Sequence, residues 1–331
     1  MKRILTVLLT VMLFAGFAQA RSKTPDSKIN FHFATLEEGQ KIISASDEFT
    51  KSLHNFDLVS RLQEAGMEPT EENYRLLGKK SVMAWTDVEK DNIRKAAAYL
   101  QHRIDSCGYK LPIPEDITLI KTSMVEEGRA AGYTRGTNIF LATCEKLTPR
   151  GEAFLKVLLA HELFHVLTRT CPEFREAMYA QIGFRLIGHD IKANDKLLEM
   201  RITNPDVNRY DSYSMFTIDG KKIPCAMWFH TDTFDYKGGP FFTYGKPGLL
   251  PLDKNYNPIL KADGTPVIYP TEKASDFYDM VGKNTSYIIN PEEVLADNFA
   301  FALLDYFMEG NPSPEVTARL RGVMKGSWIK K

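Results

Sequence analysis

The chain has 331 residues, of which 42 are basic and 42 are acidic, so its formal net charge is zero. This balance argues against a nucleic-acid-binding protein, and a hydrophobic content of 44% excludes a disordered chain. A chain of this length can bury one large core or two modest ones. Only seven residues are histidine, so the position of each carries information.

The first 20 residues have the three-part pattern of a secretory signal peptide. Lys2 and Arg3 precede an apolar stretch over residues 4–17, and Ala18 to Ala20 form a small-x-small cleavage site. The alternative is an uncleaved N-terminal anchor. Because the apolar stretch is short and no later run reaches spanning length, we expect a secreted or periplasmic protein without stable membrane insertion. Cleavage would change the net charge to −2.

Residues 21–111 are predicted to form a helical N-terminal segment. Apolar residues recur there at helical spacing, and Thr86 with Glu89 forms a capping box that opens a strong helix. This helix is expected to end near Cys107. Prolines then mark the start of a second domain over residues 112–331.

The second domain begins with two strand-like runs, residues 117–121 and 137–142, which we expect to form a small sheet. Thr148 and Pro149 have the residue types of an N-cap and a first helical position. They open a helix that should extend to about Arg169. This helix would lie on the small sheet.

Residues from about 200 to 270 are predicted to form a β-rich insertion. Proline, glycine and aromatic residues are frequent there, and helical periodicity is absent. Asp219-Gly220 and Asp263-Gly264 are hairpin signals between β-prone runs.

Two helices are predicted after the insertion. The first begins at Asn290 and Pro291 and is expected to run to about Met308. The second begins at Ser313. The predicted fold class is therefore α+β, with a helical N-terminal segment, a small sheet, a β-rich insertion and C-terminal helices.

The helix after Pro149 contains His161-Glu162-Leu163-Phe164-His165, an H-E-x-x-H motif. One helical turn separates the two histidines, so both rings project from one face and can hold one metal ion. Imidazoles suit Zn²⁺, which takes three protein ligands and keeps one open position in catalytic sites. Zinc would lower the pKa of its water, and Glu162 would accept the proton. The alternative is two ordinary core histidines.

A third ligand must come from elsewhere in the chain. The extended pattern H-E-x-x-H-x-x-G-x-x-H fails, because Thr168 replaces its glycine and Cys171 its third histidine. Cys171 could itself bind zinc, but the proline that follows makes its geometry unfavourable. Glu293 and Asp297 form an E-x-x-x-D motif on the first of the two C-terminal helices.

The two motifs together resemble those of the gluzincin metallopeptidases, of which thermolysin-like enzymes are members. The resemblance implies a zincin-like fold and peptidase activity, with Glu293 as a zinc ligand and Asp297 supporting a ligand histidine. It covers only the two motifs. In this chain 128 positions separate His165 from Glu293, far more than in thermolysin-like enzymes. The β-rich insertion lies in that interval, so substrate assignments do not carry over.

The residue types by themselves leave alternatives for the third ligand. Glu293 and Asp297 lie one turn apart, so one can ligate while the other accepts the second ring N–H of His161. Asn290 with Glu293 could instead form a capping box, in which case Glu292 would be the ligand.

Further residues could complete such a site. Gluzincins usually have a donor that stabilises the oxyanion, and Tyr287 is one candidate for that catalytic role. His230 with Tyr236 is another candidate, and each of these residues is more often structural. Residues 133–141 could form an edge strand that holds a peptide, or an ordinary core strand.

The sequence therefore predicts an exported zinc-dependent hydrolase that acts on a peptide or protein substrate. Its metal ligands would be His161, His165 and Glu293, and its general base Glu162. The alternative is a non-catalytic zinc-binding protein whose aromatic insertion binds a peptide or glycan. The four cysteines could form two disulfides or remain free thiols.

Overall fold

A computed structural model describes residues 27–207, 209–307 and 310–329. The predicted signal peptide lies outside these residues. The described chain is a mixed arrangement of helices and small sheets, which confirms the α+β prediction. Within the described ranges, no helix is both long enough and apolar enough to cross a membrane.

A four-stranded sheet lies in the first half of the chain. Its strands are β1 (Phe31–Phe33), β2 (Ile117–Lys121), β3 (Gly132–Arg135) and β4 (Asn138–Leu141). The order is β1-β2-β4-β3, with β1, β2 and β4 parallel and β3 antiparallel to β4. Strand β3 is therefore an edge strand.

Two details of this sheet differ from the predictions. Residues 133–141 are not one strand, because a turn at Gly136 (φ 61°) folds them into the β3–β4 hairpin. The N-terminal segment, predicted as helical, also contributes β1, which pairs with β2. A three-residue strand has too few positions for its period to be recognised in the sequence.

The N-terminal segment otherwise contains the predicted helices. They are α1 (Leu36–Ile43), α2 (Glu48–Lys51), α3 (Asn55–Leu62), α4 (Glu71–Ser81) and α5 (Asp87–Cys107). Helix α5 begins with the predicted capping box of Thr86 and Glu89 and ends at Gly108, whose φ is 65°. Both predicted ends of α5 are confirmed.

Two long helices cross the centre of the molecule and carry both sequence motifs. Helix α6 (Pro149–Thr170) packs against α5, β3 and α10 (Pro291–Leu304). Helix α10 is buried at every residue except Asp297, because its sequence is apolar nearly all around. The predicted end of α10 near Met308 is wrong: Asp305 adopts a left-handed conformation (φ 54°) and stops the helix at Leu304.

Two shorter helices pack beside this pair. Helix α7 (Pro172–Ala180) follows α6 directly, and α11 (Pro314–Gly322) packs on α10. Helix α11 begins at Pro314, as predicted from the Ser313-Pro314 pair.

The insertion is β-rich, as predicted, and forms a five-stranded sheet with antiparallel pairings. Its strands are β5 (Arg185–Leu186), β6 (Ser212–Ile218), β7 (Lys221–His230), β8 (Lys246–Pro251) and β9 (Tyr269–Pro270). Asp219 and Gly220, both with positive φ, make the tight β6–β7 turn. Asp263-Gly264 lies in a turn next to an isolated bridge. Two short helices accompany the sheet, α8 (Asp195–Met200) and α9 (Phe277–Val281).

The four cysteines are free thiols in this structure, so the disulfide alternative is not realised. Burial raises the pKa of the Cys144 thiol to about 11 and that of Cys225 to about 12. Such thiols are protonated at neutral pH and behave as small apolar side chains.

Candidate metal centre

Helix α6 places the two histidines of the H-E-x-x-H motif side by side. The rings of His161 and His165 lie 4.8 Å apart between centroids, in an edge-on arrangement. The side chain of His165 is fully buried, whereas that of His161 is 12% exposed. The helical spacing alone produces this pairing, because residues four apart share one face.

Helix α10 brings Glu293 against both rings. Its Oε2 atom lies 3.1 Å from Nε2 of His161 and 3.6 Å from Nε2 of His165. One ligand-type atom from each of these three residues lies within 4.8 Å of the other two. Two imidazole nitrogens and one carboxylate oxygen therefore converge on a single point.

One atom at this point has no partner of its own. Nε2 of His165 is buried, and within the described residues it makes no hydrogen bond. A buried polar atom without a partner is costly, and it commonly marks a place for a ligand or ion. Two imidazoles and one carboxylate are a common donor set for catalytic zinc. The residues present therefore fit the metal that the sequence predicts.

Each histidine is oriented by a carboxylate on its far side. Nδ1 of His161 donates to Oδ1 of Asp297 at 2.8 Å, and Nδ1 of His165 donates to Oε1 of Glu292 at 3.2 Å, when both rings carry a proton there. In that tautomer each Nε2 presents its lone pair towards Glu293. Such outer carboxylates are typical of metal-binding histidines.

Helix α10 thus supplies one carboxylate at the point of convergence and two behind the rings. The alternative left open by the sequence, in which Glu293 forms a capping box with Asn290, is wrong. Asn290 accepts a hydrogen bond from the backbone N–H of Glu292 at 2.9 Å, while the Glu293 side chain turns towards the histidines. Nor does Glu292 take the central position, because it contacts His165 from behind.

Hydroxyl groups from neighbouring elements fix the outer carboxylates. Thr168 and Tyr179 donate to the two oxygens of Glu292 at 2.5 and 2.6 Å. Thr285 donates to Oδ2 of Asp297 at 2.5 Å. The histidine partners are therefore themselves held in place.

Glu162 lies on the same helix, and its side chain contacts the edge strand. Thr134 of β3 donates its hydroxyl to Oε2 of Glu162 at 2.7 Å. A Cβ built on Gly132 would lie 3.1 Å from Oε1, so the glycine keeps space free beside this oxygen. Burial raises the pKa of Glu162 above its usual range, although the two histidines oppose that shift. Such a carboxylate is suited to accept a proton near neutral pH.

Two further residues, Asn204 and Asp206, belong to the site and were missed by the sequence analysis. Nδ2 of Asn204 donates to Oε1 of Glu293 at 2.6 Å, and both residues are buried. Asp206 forms a second group of possible ligand atoms with Glu162 and His165, again within 4.8 Å. Burial, and then the charge of Glu162, raise the pKa of Asp206 well above its usual value. The only sequence signal was the Asn-Pro-Asp turn at the start of the insertion.

The structure places the remaining candidates as follows. The ring of Tyr287 stacks on that of His161 with 6.4 Å between centroids, so it borders the site. His230 instead contacts the carbonyl of Trp228, and Tyr236 donates to the carbonyl of Gly239.

Cys171 also lies apart from the histidine pair. Its thiol contacts Glu173, at the junction of α6 and α7. Comparison of the chain with protein-family models, with curated proteins and with solved structures found no match.

Proposed function

We propose that this protein is an exported zinc-dependent metallohydrolase that cleaves amide bonds in peptides or proteins. The observation that carries the proposal is the convergence of His161 Nε2, His165 Nε2 and Glu293 Oε2, in which the His165 atom makes no hydrogen bond to the described residues. The outer carboxylates behind the two rings support it further. Export rests on the signal pattern of residues 1–20, which lie outside the described ranges.

The residues of the proposed zinc site would then have distinct roles. His161, His165 and Glu293 would hold zinc, which when bound supplies Lewis acidity that polarises a carbonyl group and makes water more acidic. Glu162 would accept the proton of the attacking water at Oε1, because Oε2 is already engaged by Thr134.

The same carboxyl group could return that proton to the leaving amine, since its raised pKa favours exchange in both directions. Tyr287 would lie at the edge of the site as a donor to the developing oxyanion.

The test uses the Glu162→Gln variant. We expect it to bind one zinc ion with wild-type affinity, because Glu162 is not at the point of convergence, and to lose hydrolysis by about 10²–10⁴-fold. Zinc would be measured by metal analysis, and hydrolysis with a mixture of peptides followed by mass spectrometry. Wild-type activity in this variant would refute the role of Glu162.

The alternative function is a non-catalytic zinc-binding protein whose aromatic insertion binds a peptide or glycan. It would need aromatic side chains exposed on the surface of the insertion. Of the twelve aromatic side chains in residues 200–270, six are buried, including Phe216, Trp228 and Phe241, and only Phe234 is largely exposed. The wild-type protein decides between the functions: zinc retained without hydrolysis of any peptide would favour the non-catalytic alternative.

A further inference from the structure

The edge strand β3 presents main-chain groups on the side away from β4. In an antiparallel pair, alternate residues point their N–H and C=O groups outward. Thr134 is such a residue, because both its main-chain groups bond to residues outside the sheet. Gly132, two positions earlier, therefore points its main chain the same way, beside Oε1 of Glu162.

The outward groups of Thr134 are already occupied by the protein itself. Its N–H donates to Oδ1 of Asp206 at 2.6 Å, and its C=O accepts from Nη1 of Arg169 at 3.0 Å. A peptide that pairs with β3 beside Glu162 can therefore use Gly132 but not Thr134. Asp206 and Arg169 fill the edge of the sheet at Thr134, two residues or about 7 Å from Gly132. A peptide paired with Gly132 would therefore end within roughly two residues on this side.

Asp206 and Arg169, which occupy the outward groups of Thr134, are themselves held in place by further hydrogen bonds. Arg169 donates to the carbonyls of Pro205 and Asp206 at 2.8 and 2.7 Å. The backbone N–H of Asp206 donates to Oδ1 of Asn204 at 3.0 Å, and Asn204 in turn bonds to Glu293. Since Asn204 and Asp206 are also buried, this closure is part of the folded site rather than a loose loop.

The carboxylate of Asp206 indicates which end of a peptide, the N-terminus or the C-terminus, would lie at this point. One oxygen of Asp206 lies within 4.8 Å of the Glu162 carboxylate and of a His165 ring nitrogen. Burial and the charge of Glu162 raise the pKa of Asp206, but an ammonium group beside it would favour the ionised form. Asp206 in this position would therefore pair with the ammonium group of a peptide N-terminus, and it offers no attraction to a C-terminal carboxylate. Arg169, the cation nearby, is already committed to three carbonyl oxygens.

From this geometry we infer that the enzyme is an aminopeptidase, whose Asp206 binds the free α-amine and limits cleavage to the first or second peptide bond. The inference rests on the proposed function and adds its substrate class. Asp206 is then a specificity-determining residue. The substrate of an endopeptidase would instead have to continue past Thr134, where Asp206 and Arg169 occupy the outward main-chain groups.

The first experiment compares one ten-residue peptide with its N-acetylated form, using the zinc-loaded protein and mass spectrometry. We expect the free peptide to lose one or two N-terminal residues, and the acetylated peptide to react at least about tenfold more slowly. Internal cleavage of both forms at similar rates, or removal of C-terminal residues, would overturn the inference and leave the proposed function standing. Failure to hydrolyse either form would refute both.

The second experiment measures binding without turnover. The zinc-loaded Glu162→Gln variant is titrated with each peptide by calorimetry, and the free amine should bind about tenfold more tightly or better. Equal affinities for the two peptides would overturn the inference, whatever the activity.

Asp206→Asn isolates the charge, because an amide oxygen can still accept from the N–H of Thr134. We expect the preference for the free amine to fall about tenfold in this variant, in both rate and affinity. A merely structural role would lower activity on both peptides equally and leave their ratio unchanged, which would refute the assignment. Asp235→Asn, which removes a carboxylate that is 76% exposed, is the matched control and should keep the wild-type ratio.

Discussion

The strongest test of the metal centre lies one contact away from the proposed ligands, at Glu292. Its two oxygens accept three hydrogen bonds, from His165 Nδ1 at 3.2 Å, Thr168 at 2.5 Å and Tyr179 at 2.6 Å. In Glu292→Gln one acceptor oxygen becomes an NH₂ donor of nearly the same size. If the NH₂ faces His165, the ring must move its proton to Nε2, which removes the lone pair needed for the metal.

The expected loss follows from this conflict. Replacing an outer partner of a metal-binding histidine typically weakens metal affinity by about 10–100-fold, or roughly 1.4–2.7 kcal/mol. The upper end applies if the amide NH₂ faces His165, and the lower end if it faces Tyr179. Competition with a chromophoric chelator would measure the zinc dissociation constant.

The matched control is Glu173→Gln, which makes the same change at an exposed residue of α7 and should leave zinc affinity unchanged. A dissociation constant for Glu292→Gln within about threefold of wild type would show that this carboxylate does not orient the ring.

Two further predictions concern the ligands and the stability of the insertion. His165→Ala should reduce bound zinc from one ion per chain to nearly none by metal analysis, and unchanged stoichiometry would exclude His165 as a ligand. Burial raises the pKa of Asp276, but hydrogen bonds from Lys222 and Thr217 lower it to about 2. Because this folded-state pKa lies below the ordinary aspartate value of 3.8, the stabilisation of about 1–2 kcal/mol is nearly complete above roughly pH 4 and is lost as the pH falls through 2. Urea denaturation of wild type and Asp276→Asn should therefore show a stability difference at pH 7 that shrinks by about half at pH 3; a constant difference would contradict the assignment.

The parts of the site that could be predicted are those defined by local periodicity. His161 and His165 share a helix face, as do Glu293 and Asp297, because four positions make about one turn. The contact of Asp297 with His161 was expected on that basis, and it is present at 2.8 Å. The role of these residues in binding zinc remains a prediction for the metal experiments.

The parts that could not be predicted depend on packing between distant elements. The contact of Glu292 with His165 requires α10 to cross α6 at one particular register, with Tyr179 of α7 supporting it. Asn204 and Asp206 lie in an irregular segment without any period, so no pattern in the sequence connects them to a helix more than 30 residues away.

The burial of α10 has a consequence for how the chain tolerates a break. This helix is enclosed on nearly every side, so it cannot leave the core without exposing its whole apolar surface to water. The chain that links α10 to α6 meanwhile runs through exposed residues near Lys261. We expect a single cut there to leave two fragments that elute together in size-exclusion chromatography, with the histidine-bearing helix and the carboxylate-bearing helix still in contact. The packing of the helix pair, rather than an unbroken chain near Lys261, would then keep the two motifs in contact.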